Sequence, residues 1–120
     1  MKIKTSELQG AALDRMVAQA AGYSISTLDL LYDIKCYSRF NPSTDWAQGG
    51  PIIEQERICI DIGHDGVWLA YSKQNYDDDK EFMHSGPTPL IAAMRCYCCA
   101  KLGEEIDIPK ELYPCQQPNI

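Results

Sequence analysis

Between positions 8 and 21 the apolar residues Leu13, Met16, Val17 and Ala20 recur at i, i+3, i+4 and i+7, with Asp14, Arg15 and Gln19 on the opposite side. This spacing predicts an amphipathic helix over 8–21, stopped by Gly22, which accepts the left-handed backbone that ends helices. From 23 to 37 the chain becomes β-branched, aromatic and Leu-rich. Leu28, Leu30, Tyr32, Ile34 and Cys36 alternate over part of it, so the segment reads as extended. Asn41-Pro42-Ser43-Thr44-Asp45 is turn and cap chemistry, because Pro fixes φ while Ser, Thr and Asp side chains bond to nearby backbone. A helical turn is expected from Trp46, interrupted by Gly49-Gly50. A second short helix over 51–56 should follow, with Pro51 first, where its missing N–H loses no bond.

The clearest hairpin comes next. Arg57 to Ile62 alternates and is β-rich, Gly63-His64-Asp65-Gly66 is a turn, and Val67 to Tyr71 alternates again, giving strands at about 57–62 and 67–72. Residues 72–85 read as a polar loop. Thr88 as N-cap and Pro89 at the first helical position then open a helix over 88–102, with Leu90, Ala93, Met94 and Tyr97 as its apolar stripe and Gly103 as its stop. Ile106-Asp107-Ile108 is a short extended segment, 109–112 a turn, and 113–120 a C-terminal tail. The order of elements predicts one α+β domain over 1–112, a small antiparallel sheet covered by helices. Leu13, Met16, Val17, Ile53, Ile58, Ile60, Trp68, Ala70, Leu90, Met94 and Tyr97 are the expected core. A lone hairpin is short of strands and needs cover from the helices or from a second subunit, so a homo-oligomer that completes the site from two chains is also expected.

At 120 residues, 45% hydrophobic and 23% charged, the chain suits one compact domain that can bury about two thirds of its unfolded surface without disulfides. Seventeen acidic against eleven scattered basic residues give a net charge of −6, which argues against general nucleic-acid binding because a duplex needs a clustered basic face. The acidic run at 77–81 lacks calcium-loop spacing. The longest uncharged stretch is too short and polar for a bilayer span, and the start lacks a secretory apolar region, so no membrane association is expected. With no export signal, the six cysteines read as reduced thiols. Cys96 and Cys99 could bind zinc only if His84 or Cys115 joined them. Cys98 and Cys99 diverge on a helix and no second pair has ligand spacing, so the thiols are read as structural and neither metal nor cofactor is expected.

Common catalytic motifs are absent, and His64 sits in the hairpin turn as a solvated residue. The segment Ser43-Thr44-Asp45-Trp46-Ala47-Gln48-Gly49-Gly50-Pro51 is denser in useful groups. Gly49 and Gly50 would leave backbone N–H groups approachable at a helix start, where the dipole favours anions. Trp46 could stack on a flat ring, and Asp45 or Gln48 could read hydroxyl or base edges. Thr88 at the other helix start, His84 just ahead of it and Arg95 or Arg57 as countercharge would complete a pocket for a phosphate-bearing ligand. The candidate ligand-binding residues are therefore Ser43, Thr44, Asp45, Trp46, Gln48, Gly49, Gly50, His84, Thr88 and Arg95. The plainer reading makes Thr44, Asp45 and Thr88 caps, Trp46 a core anchor and the glycines a turn.

Lys4-Thr5-Ser6-Glu7-Leu8 with Gly10-Ala11-Ala12-Leu13-Asp14, the segment from Ser43 to Glu54, and Gly86-Pro87-Thr88-Pro89-Leu90-Ile91-Ala92-Ala93-Met94-Arg95 resemble the NinX-like phage proteins over most of the chain. Positions 28–40 depart most from that pattern. The order of elements is also similar, more weakly, to a phage domain described as an alpha-beta-alpha sandwich. The resemblance implies a small accessory protein of a tailed phage or prophage, at work in the host cytoplasm, and no assigned activity. Joined to the pocket argument, it gives a first expectation of a non-enzymatic binder that sequesters a nucleotide-type small molecule such as a host immune signal. The second is a protein-interaction module that inhibits a host protein through Trp46, Ile52 and Ile53. Hydrolysis through Asp45, Glu54 or His84 is a third and weaker expectation.

Overall fold

The helix near the C-terminus organises the molecule. A computed structural model describes residues 2–22, 40–73 and 81–108, with positions 73, 81 and 82 given by their backbone alone. The elements are β1 (Lys2–Lys4), a 3-10 turn (Thr5–Glu7), α1 (Gly10–Ala20), α2 (Trp46–Glu56), β2 (Cys59–Ile62), β3 (Trp68–Lys73), β4 (Glu81–Gly86), α3 (Pro89–Leu102) and β5 (Glu105–Asp107). The fold is α+β, as the sequence indicates, with two small antiparallel sheets of order β1-β5 and β2-β3-β4.

The hairpin forms where alternation placed it, with Cys59 opposite Tyr71 and Ile62 opposite Trp68. Its turn is closed by the Val67 N–H donating to the His64 carbonyl at 3.1 Å. Asp65 and Gly66 between them both have positive φ, 57° and 79°. One expectation fails at the next step: the polar loop assigned to 72–85 ends in a strand. β4 pairs with β3 from Trp68↔Gly86 to Lys73↔Glu81 and places Ala70 opposite His84, which makes β3 the centre of a three-stranded sheet. Glu81-Phe82-Met83-His84-Ser85 shows no clean apolar alternation, because an edge strand buries little on its outward face.

A second correction concerns the start of α2. Residues 46–56 form one helix with Pro51 inside it, rather than two pieces broken at Gly49-Gly50. Pro51 deprives the Ala47 carbonyl of its i+4 donor. Both residues lie on the exposed face, where water can replace that bond. At the far end Arg57 adopts a left-handed conformation, φ 53°, and the Ile58 N–H returns to the Ile53 carbonyl at 3.0 Å.

α3 carries both features read from sequence: the Thr88 hydroxyl accepts the Ile91 N–H at 3.1 Å, and Pro89 occupies the first turn. It is buried on more than the expected stripe. Leu90, Ala93, Met94 and Tyr97 are joined by Ala92, Cys96, Cys98 and Cys99, because among the described residues α3 is the middle layer, with the β2-β3-β4 sheet on one side and α1 on the other. The Cys96 thiol meets the Ser72 hydroxyl of β3 at 3.6 Å. Of the expected core, Leu13, Met16, Val17, Ile58, Ala70, Leu90, Met94 and Tyr97 are buried, whereas Ile53, Ile60 and Trp68 are half-buried against it. Leu8, Ala12, Ile106 and Ile108 complete the core. β1 and β5 close the N-terminus onto this frame: Ile3 faces Ile106, while Lys2 and Lys4 stand opposite Asp107 and Glu105. The extended reading of 23–37, the turn at 109–112 and the tail at 113–120 lie outside the described residues.

Candidate functional site

The segment singled out by composition folds into a closed polar network before it can do anything else. Asp45 caps α2: its Oδ1 accepts the Ala47 N–H at 3.0 Å, and its carbonyl accepts the Gln48 and Gly49 N–H groups at 3.0 and 2.9 Å. Gln48 donates from Nε2 to Asp45 Oδ2 at 3.0 Å and to Asn41 Oδ1 at 2.7 Å, and its Oε1 accepts the Asn41 N–H at 2.7 Å. The Asn41 carbonyl in turn accepts the Thr44 and Asp45 N–H groups at 3.1 and 2.9 Å and the Thr44 hydroxyl at 3.3 Å. The positive end of the α2 dipole is thus met by a carboxylate of the chain itself.

The glycines serve packing. Gly49 donates its N–H to Asp45, and a Cβ there would sit 2.5 Å from the Pro42 carbonyl oxygen and 2.6 Å from Leu90 Cδ2, closer than real contacts allow. Only glycine lets α2 seat on the turn and on the first turn of α3. That contact brings the two helix starts together. The same Cβ built at Gly50 meets nothing within 4 Å beyond its own helix neighbours.

Two distant candidates are engaged elsewhere. Arg95, offered as a countercharge, donates from Nε to the Leu8 carbonyl at 2.7 Å and from Nη1 to the Ser85 carbonyl at 2.9 Å, so it ties the segment before α1 to β4. His84 lies in β4 rather than in a loop, and burial first, then the charge of Arg95, holds its pKa below the usual imidazole value, against the opposing pull of Glu104. Thr88 is a cap. Ile52 and Ile53, expected with Trp46 as apolar anchors for a host protein, pack partly against the core.

Trp46 is the exception. In the core-anchor reading it would be buried, but it is 54% exposed at the first position of a capped helix.

Ser43 leads to a residue that sequence reasoning missed. Its N–H donates at 2.9 Å to Oδ1 of Asp14, which the helical pattern had put on the polar side of α1 but which is only 5% exposed. Burial pushes the Asp14 carboxyl up to about 6, against the Ser43 hydroxyl and N–H, which favour the charged form. The Ser43 Oγ is itself buried and has no hydrogen bond of good geometry among the described residues. Across from them, burial and then the Asp14 charge push the Cys98 thiol far up, so it stays protonated. No local pattern marks Asp14, because its partner is 29 positions away.

Cys96, Cys98 and Cys99 are free and buried and Cys59 is free and exposed, while Cys36 and Cys115 lie outside the described residues. Among the described residues no three His, Cys, Asp or Glu side chains gather to hold a metal ion, and no helix is long and apolar enough to cross a membrane.

With this geometry in place, comparison with known families is decisive for kinship. A family model described as "Bacteriophage P22, NinX" matches residues 4–101. The chain belongs to the NinX family. The match takes in α1, α2, the three-stranded sheet and nearly all of α3, so the Asp14–Ser43 contact and the Trp46 turn both lie within the family region of this NinX-like phage protein. No curated protein matches the chain.

Proposed function

We propose that this NinX-like protein is a non-enzymatic phage accessory factor that acts in the host cytoplasm by docking on a host protein through the start of α2. The observation that carries this reading is Trp46, a large ring left 54% exposed on a helix whose first turn is fixed by the Asp45, Gln48 and Asn41 network. Exposed aromatics on preorganised backbone lose little entropy on binding and are the residues that most often dominate interfaces. The overall charge of −6 steers such a surface towards a basic host partner.

Sequestration of a nucleotide-type small molecule is the second reading, favoured by the Gly49–Leu90 contact that joins the two helix starts and by a ring free to stack. It is the weaker of the two, because Asp45, Gln48, Gly49, Thr88 and Arg95 already spend the donors and acceptors described above on the chain itself. Thermal shift against nucleotides, cyclic oligonucleotides and ADP-ribose derivatives separates the two. A ligand at 100 times its dissociation constant adds about 2.7 kcal/mol, a rise of several degrees. A selective shift, lost in Trp46→Ala, supports sequestration. No shift across the panel, together with a salt-sensitive host partner, supports protein docking.

A further inference from the structure

At the contact between Asp14 and Ser43 a titratable group is buried without an ion pair among the described residues and ties down the turn that leads into α2. Three elements meet there: α1 brings Asp14, the turn before α2 brings Ser43, and α3 brings Cys98. Ser43 lies three positions ahead of Trp46 in the same run of hydrogen bonds, and its neighbour Pro42 is the surface on which Gly49 rests. Whatever loosens Ser43 therefore loosens the seat of α2.

We propose that Asp14 is a pH-sensitive latch that governs how firmly the 41–44 turn, and with it the Trp46-bearing start of α2, is seated against α1 and α3. Ionised, the carboxylate gains the Ser43 N–H but holds a charge in a site with no cation of the described residues paired to it. Protonated, it sheds the cost of a buried charge, and its carbonyl oxygen still accepts the Ser43 N–H. The groups facing it stay neutral while this happens: the Cys98 thiol of α3 remains protonated, and Ser43 does not titrate. Arg95 of α3 is held by the Leu8 and Ser85 carbonyls. Arg15, next to Asp14 on α1, is only half-buried and has contacts of its own.

The direction follows from where the proton is held more tightly. In the seated state burial raises the carboxyl to about 6, well above the ordinary aspartate value, so seating takes up a proton. The latch is tightest at low pH and loosens as pH rises through about 6. An open turn in which Asp14 recovers its ordinary acidity would be about tenfold more populated at pH 7.5 than at pH 5. The latch does not depend on what Trp46 meets, so it can stand or fall apart from the docking proposal.

Amide hydrogen exchange of the full chain, followed residue by residue by NMR, tests it. After correction for intrinsic exchange, protection of the Ser43 N–H should fall about tenfold from pH 5 to pH 7.5. At pH 7.5 Ser43 should exchange faster than Ala70 in the central strand, because the turn opens without the whole fold. Asp14→Asn, neutral throughout, should abolish the pH dependence at Ser43. A flat profile in the unmodified protein would overturn the latch, as would equal protection at Ser43 and Ala70 or a pH dependence retained in Asp14→Asn. Should that variant fold poorly, the Asp14 side-chain carbon signal decides in the unmodified protein: a midpoint near 6 supports the latch, and one near 4 contradicts it.

Discussion

Two adjacent glycines in one helix should respond very differently to the same substitution. In a helix interior, alanine is preferred over glycine by about 0.5–1 kcal/mol, since glycine loses more backbone freedom on folding. At Gly50 an added Cβ meets nothing within 4 Å beyond its chain neighbours, but Pro51 follows directly and its ring disfavours the helical backbone for a preceding residue with a Cβ, so that gain is largely offset. Gly50→Ala should therefore change the melting temperature by no more than about 2 °C. At Gly49 the same gain is opposed by contacts of 2.5 Å to the Pro42 carbonyl oxygen and 2.6 Å to Leu90 Cδ2. The Leu90 methyl can swing aside, but the Pro42 oxygen is backbone, in a turn fixed by proline and by three hydrogen bonds to the Asn41 carbonyl. Overpacking of this kind costs about 1–3 kcal/mol, and the clash with backbone puts it at the upper end. Gly49→Ala should lose about 1–2 kcal/mol net, in urea denaturation with an unchanged m-value. If both variants are tolerated alike, α2 does not rest on Pro42 and Leu90, and the packing role assigned to Gly49 is wrong.

Other consequences can be checked with the same assay. Thr88→Ala removes the acceptor for the Ile91 N–H and should cost about 1 kcal/mol, with Thr88→Ser recovering most of it. Arg95→Lys keeps the charge but cannot reach both the Leu8 and Ser85 carbonyls, and should cost about 1–3 kcal/mol; an unchanged urea midpoint would show that this bridge carries no stability. Asp14 binds its proton more tightly folded than unfolded, so its own contribution to stability falls as pH rises from 3.8 through about 6, by about 3 kcal/mol at most. Asp14→Asn should therefore be at least as stable as the unmodified protein at pH 7.5 and lose that advantage on acidification, and a variant much weaker at pH 7.5 would refute this sign.

What could be read from the sequence was local. Alternation over 57–62 and 67–71 located the hairpin because Ile58, Ile60, Trp68 and Ala70 share a face turned to the core, even though Ile62 is exposed, and Thr88, Pro89 and Gly103 bounded α3 because cap chemistry acts within a few residues. Features that depend on distant partners escaped. β4 has no alternation of its own and is fixed by pairing with β3. Asp14 looks solvated beside Arg15 and Gln19 until Ser43 is brought onto it. At the candidate site, Asp45 and Thr88 take the capping roles that the plainer reading gave them, while Trp46 departs from that reading by standing in solvent. The Gly-Gly-Pro run looked like a break because propensity takes no account of Leu90 and Pro42, the atoms that make glycine necessary at 49.

The most direct measurement compares the unmodified protein with Trp46→Ala as baits in lysate of host cells, at low and high salt, with the bound material quantified by mass spectrometry. Since Trp46 is largely exposed, the variant should keep the parent's melting behaviour. One stoichiometric, salt-sensitive host protein held by the unmodified bait and lost from the variant is the expected result. The same partner held equally by both baits, or none held by either, would contradict docking through the start of α2.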